Sequence, residues 1–118
     1  SGAVRNHDLD IMKKAFEIAK QYNTIGGYTR DYSAAIKALD NFIADYPGTP
    51  FKEDALYYRF DSAYILALNS VENRKKERLD FAKGAYASLI KFNESTKYKS
   101  DVDKKLEAIE KELQQFSN

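Results

Sequence analysis

The sequence predicts an all-α protein: about five helices paired as helix hairpins in a short solenoid and closed by a capping helix. Three observations carry this. Ala35, Ile36, Leu39, Phe42, Ile43 and Tyr46 recur at steps of three and four, which puts them on one stripe of a helix. Pro47 ends that helix, because the residue before a proline is pushed out of the α region; Gly48 accepts the turn, and Phe51 to Asp54 opens a second helical pattern at once. The third observation is a weak internal repeat. A shift of 47 residues pairs Ala35 with Ala82, Ala38 with Ala85, Ile43 with Ile90, Thr49 with Thr96, Lys52 with Lys99 and Asp54 with Asp101. Random pairing over that window gives roughly one or two such matches, and fixed-period self-similarity is the mark of stacked helical units. Pro47 falls on Glu94, so the second copy lacks the proline stop.

The chain of 118 residues is long enough for one domain with a real core, and 1–118 reads as a single helical-repeat domain. Nineteen basic against 18 acidic residues leave no overall field to recruit nucleic acid or an anionic membrane surface. There is no cysteine, hence no disulfide, thiolate metal site or cysteine nucleophile within the sequence. No apolar run approaches the roughly 18 residues that a bilayer crossing needs. Ser1-Gly2-Ala3 reads as a remnant of cloning, with residues 1–7 expected to fray, and any targeting segment or lipid anchor of the natural protein would lie upstream.

The first helix is expected from Asp8, its cap, to about Tyr22, with Leu9, Met12, Ala15, Phe16 and Ala19 on one face. Asn23-Thr24-Ile25-Gly26-Gly27 then reads as a turn; a phosphate-binding loop would need a preceding strand and a following Lys-Ser or Lys-Thr pair, which are absent. The second helix begins near Arg30. The third, about Lys52 to Asn69, is apolar on nearly every side, as befits a middle helix covered by neighbours on both flanks. Its tyrosines suit either core packing or a half-wet binding face.

Ser70 to Arg78 mixes charges of both signs without interleaved aromatics and reads as a solvated loop or helix start rather than a nucleic-acid patch. The fourth helix is expected from Glu77 to Phe92, with Leu79, Ala82, Ala85, Tyr86, Leu89 and Ile90 inward and Gly84 tolerated for close helix contact. In the fifth, residues 99–118, Ser100 is the expected cap. Val102, Leu106, Ile109, Leu113 and Phe116 form one narrow apolar face, and Lys104, Lys105 and Glu107 are among the polar residues covering the rest. That profile suits a terminal capping helix; a coiled-coil seam is the alternative, but barely two heptads are present.

The run Ala35 to Pro47 resembles the second helix of a tetratricopeptide repeat, with Ala35, Leu39 and Pro47 on matching positions and Phe42 where a small residue is usual. More narrowly, the segment from Phe42-Ile43 through Tyr46-Pro47-Gly48-Thr49 to Ala55-Leu56-Tyr57 resembles the repeats of the outer-membrane protein assembly lipoprotein of the BamD type. Asn93-Glu94 departs from the second Tyr-Pro that pattern expects, and the lipid-bearing cysteine of such proteins is not in the sequence, which implies a fragment lacking the lipoprotein signal. The resemblance implies a non-catalytic protein-interaction scaffold on the periplasmic side of an outer membrane, whose partners are other proteins of a β-barrel assembly complex or peptide segments of them. A tetratricopeptide adaptor of the envelope or cytosol is the alternative.

Catalysis has no visible seat. His7 is the lone histidine, and Asp61, Asp80 and Asp101 show no paired acid/base spacing, so no catalytic, cofactor or metal residues are expected. Because the resemblance turns the first helices of successive hairpins toward the concave side, the third helix supplies the expected binding face. On it Tyr57, Asp61, Tyr64 and Leu68 fall at steps of four, three and four and share one side, opposite the small residues Ala55, Ser62 and Ala63. Aromatic area there suits an amphipathic or extended partner segment, with Asp61 to orient a basic or amide group.

Overall fold

The computed structural model describes residues 6–117. Five helices follow one another: α1 (Asn6–Ile25), α2 (Thr29–Asp45), α3 (Lys52–Leu68), α4 (Glu72–Phe92) and α5 (Lys99–Leu113), the last tightening into a 3₁₀ turn at Gln114–Phe116. Among the described residues there is no strand. Each helix packs on the one before it, and α3 also touches both α1 and α5. The first helices of successive hairpins therefore lie side by side, and the molecule measures 54 by 29 by 20 Å along its principal axes.

Local chemistry explains most boundaries. Asp31 closes the start of α2, its carboxylate accepting the Gly27 and Tyr28 N–H groups at 3.3 and 3.2 Å. At the other end of α2, Pro47 removes the donor that would extend it. The expected bounds of three other helices need correction. Helix α1 already contains Asn6 and His7, so Asp8 lies in its first turn rather than capping it, and the helix runs on through Asn23 and Thr24 and ends at Ile25, just before Gly26. Only residues 1–5 of the expected frayed segment fall outside the described residues. Helix α4 starts at Glu72, five residues early, because a run of charged residues makes good helix without leaving an apolar stripe to betray it. Helix α5 starts at Lys99 with Tyr98 as its cap, which puts Ser100 inside the first turn.

Gly84 also departs from expectation: it is exposed, and a Cβ built on it meets nothing within 4 Å, so no close helix contact requires it.

The 47-residue repeat is reproduced bond for bond in the two turns. Tyr46 N–H donates to Phe42 O, Thr49 N–H to Tyr46 O, Lys52 N–H to Thr49 O and Ala55 N–H to Phe51 O; Asn93, Thr96, Lys99 and Val102 repeat these bonds onto Leu89, Asn93, Thr96 and Tyr98. The hydroxyls of Thr49 and Thr96, both buried, accept from the N–H groups of Phe51 and Tyr98 at 3.1 and 3.3 Å. Phe51 and Tyr98 themselves adopt nearly the same backbone, φ −95°, ψ 11° and φ −90°, ψ 3°.

Burial follows the predicted stripes. One cluster gathers Phe16, Ala19, Leu39, Phe42 and Ala55; the other gathers Leu56, Phe60 and Ala63 of α3 with Leu79, Ala82, Ala85 and Leu89 of α4 and Val102 and Ile109 of α5. Helix α3 contributes to both, which is why it is apolar nearly all round.

Candidate functional site

Tyr57, Asp61, Tyr64 and Leu68 do share one side of α3, and all four are half-buried. Ala55, Ser62 and Ala63 are fully buried in the packing with neighbouring helices. The shared side looks across to α5 on one flank and touches α1 on the other.

The centre is Asp61. One of its oxygens accepts the Lys105 ammonium at 2.6 Å and the other accepts the Asn23 side-chain amide at 3.0 Å. The same amide donates to Ser62 Oγ at 2.9 Å, while Ser62 donates to Tyr58 O one turn back at 2.7 Å. Asp61 thus takes one basic and one amide group, the chemistry expected of it, but both come from this chain. Lys105, expected among the solvated residues of the last helix, is instead turned inward. Its side chain is 21% exposed, its ammonium reaches Asp101 at 2.8 Å, and it lies 5.5 and 5.6 Å from the ring centroids of Tyr57 and Tyr64. A cation between two carboxylates and two aromatic faces is well satisfied. Burial works against the charged ammonium, yet the hydrogen bonds to Asp101 and Asp61 outweigh it and hold Lys105 above the ordinary lysine range.

Tyr57 is the most firmly tied of the four. Its ring stacks on Tyr98 at 3.9 Å with planes 5° apart, and its hydroxyl donates to Asp101 at 2.8 Å. Burial, then that hydrogen bond to Asp101, pushes the hydroxyl up to about 12. Tyr98 in turn donates to Asp54, so the start of α5 is bound to α3 through a tyrosine pair. Tyr64 stacks loosely on Phe60, centroids 6.3 Å apart. Leu68 borders an open depression of about 370 Å³ between α3 and α5, whose other walls are Ala108, Lys111, Glu112 and Gln115. Sequence reasoning therefore placed the α3 residues together and missed Asn23, Tyr98, Asp101 and Lys105. The spacing of Asp101 and Lys105, four apart on one helix, was the available signal.

The arrangement grips rather than transfers. Asp61 and Asp101 serve as acceptors for one lysine. For Asp101, the hydrogen bonds from Lys105 and Tyr57 outweigh burial and hold the carboxyl below the usual carboxylate range, which makes it a poor base. Among the described residues, no three of His, Cys, Asp and Glu come together to hold a metal ion, and no helix is long and apolar enough to cross a membrane. His7 stands exposed on α1.

No curated protein matches the chain significantly. The model of a protein family described as YfiO, outer membrane lipoprotein, matches residues 12–116. That span takes in α1 from Met12 onward, both repeated turns and the capping helix, with every residue of the α3 face and its α1 and α5 partners. With helix hairpins, the repeated turn and a match over most of its length, the chain belongs to the YfiO family of outer membrane lipoproteins.

Proposed function

We propose that the protein is a non-catalytic protein-binding scaffold of the machinery that inserts β-barrel proteins into the outer membrane, working on its periplasmic side. The observation that carries this reading is the family match over residues 12–116, and the BamD-type pattern around Tyr46-Pro47 supports its finer part. A partner segment lies along α3 past Tyr57, Asp61, Tyr64 and Leu68. Of these, Tyr64 and Leu68 supply the area a partner meets first: Tyr57 is committed to Tyr98 and Asp101, whereas Leu68 borders the open depression.

The test is binding of the purified chain to each of the other purified subunits of the same organism's barrel-assembly complex. Wild type binds at least one. Tyr64→Ala with Leu68→Ala weakens that binding by about tenfold or more, the usual loss at a central anchor, while the helical circular dichroism is retained. Undiminished binding by the folded double variant defeats the proposed face. Wild-type binding to none of the subunits defeats the barrel-assembly role and leaves the adaptor reading. The same role expects the gene to encode a signal sequence ending in a lipid-accepting cysteine.

A further inference from the structure

Among the described residues three lysines lie over tyrosine rings, and all three border the α3 face. Lys105 of α5 lies over Tyr57 and Tyr64, Lys97 lies 5.3 Å from the ring centroid of Tyr98, and Lys20 of α1 lies 5.1 Å from that of Tyr58 and 5.8 Å from that of Phe16. Two of the three are completed by carboxylates of this chain: Lys105 by Asp61 and Asp101, Lys97 by Asp54 at 3.1 Å. Lys20 is half-buried and pairs with no carboxylate among the described residues. The two acids that flank Tyr58 along α3 are already engaged: Asp61 accepts the Lys105 ammonium and the Asn23 amide, and Asp54 accepts Tyr98 beside Lys97.

An ammonium over aromatic rings is stabilised from one side, and its remaining N–H donors need water or an acceptor. Where α5 covers the face, this chain supplies the acceptor. Where a partner covers it, the partner must do so, because a charge taken out of water without a counter-group costs more than the ring contact returns. We propose that the segment docking along α3 carries an aspartate or glutamate side chain that seats on Lys20, on the α1 flank beside Tyr58 and Phe16. This rests on the reading that a partner lies along α3, and it reverses the charge that Asp61 alone leads one to expect of that partner. With Asp61 engaged by Lys105 and Asn23, the unmet demand of the face is for an acid.

The test is selection of a phage-displayed library of random short peptides on the purified chain, each peptide fused at its C-terminus so that only side chains can supply the acid. Peptides that Tyr64→Ala with Leu68→Ala no longer binds are the α3 binders, and fluorescence anisotropy reads their affinities. The expected α3 binders carry an Asp or Glu whose change to Asn or Gln weakens binding to the wild type by about tenfold or more. The same change leaves binding to Lys20→Met unaltered, a variant that keeps an apolar stem over the rings and whose helical circular dichroism is checked. Selection on Lys20→Glu should instead enrich Lys or Arg at that place. Binders of α3 without an acid, or an acid whose removal weakens binding to wild type and Lys20→Met equally, overturn the inference and leave the α3 face standing. A selection that yields no α3 binder overturns the face and the inference together, whereas the barrel-assembly role stands or falls on the subunits alone.

Discussion

The turns at 46–51 and 93–98 have the same backbone hydrogen bonds and each ends on a ring stacked against a neighbouring helix, Phe51 on Phe16 and Tyr98 on Tyr57, but they are otherwise secured by different chemistry. The first is held by rings and a proline. Phe51 stacks on Phe16 at 5.6 Å with planes 5° apart, Phe42 sits 5.7 Å from Phe16 and 5.4 Å from Tyr46, and Pro47 fixes the exit from α2. The second is held by carboxylates of α3. Glu53 accepts the Thr96 hydroxyl, the Lys97 N–H and the Asn93 amide, Asp54 accepts Tyr98 and pairs with Lys97, and Asn93 Oδ1 accepts Ser95 N–H where the first turn has proline and glycine. One backbone shape therefore has two independent solutions. The lesson is that the buried threonine, common to both turns, sets the geometry, while proline only reinforces it.

The largest effect that sharpens this contrast is Phe42→Ala. The ring is 4% exposed and lies among Phe16, Leu39 and Tyr46, so its loss should cost about 3–5 kcal/mol by transfer and cavity terms. Urea denaturation reads the loss, and hydrogen exchange should quicken at amides 48–52 before 95–99. Next comes Glu53→Ala, which leaves the buried Thr96 hydroxyl without its acceptor. A cost of about 1–3 kcal/mol is expected, with the exchange pattern reversed. Equal exchange in both turns for either variant would break the comparison.

A pH series tests the polar contact by which α3 holds the start of α5, just beyond the second turn. Asp101 is held below the ordinary range, so its contribution is present above about pH 4 and is lost as pH falls through its folded value. Tyr57 is raised to about 12, so its contribution is complete below the unfolded value near 10 and is lost as pH climbs from 10 toward 12. The urea midpoint should therefore decline on both sides of that plateau. Asp101→Asn should flatten the acid arm and shrink the alkaline one.

The smallest effect is a transplant. Asn93 at φ −154°, ψ 99° is already extended, as a residue before proline must be, so Glu94→Pro should be tolerated and raise stability by about 0.4–1 kcal/mol. A clear destabilisation would mean that the second turn tolerates only its own polar clasp.

What the sequence disclosed depended on how local the cause was. Helix α3 and its start at Lys52 were legible because Pro47 and Gly48 act within their own turn. The early start of α4 was hidden, since Glu72 to Arg78 gains helix by propensity and not by a buried stripe. The side shared by Tyr57, Asp61, Tyr64 and Leu68 followed from spacing alone. Its occupancy by Lys105 did not: a lysine stem is long enough to turn inward from a position that periodicity assigns to water, and only the approach of α5 decides it.

Helix α3 is a wall common to both buried clusters, and this fixes how the protein answers a bound partner. In a one-dimensional stack each unit senses only its neighbours, and loosening ordinarily begins at the ends. Here both ends also share one neighbour, because α3 touches α1 and α5 as well as the helices between. Anything that clamps α3 therefore damps fluctuations of α1 and of α5 together, and should slow amide exchange in both terminal helices, although the partner touches neither extremity.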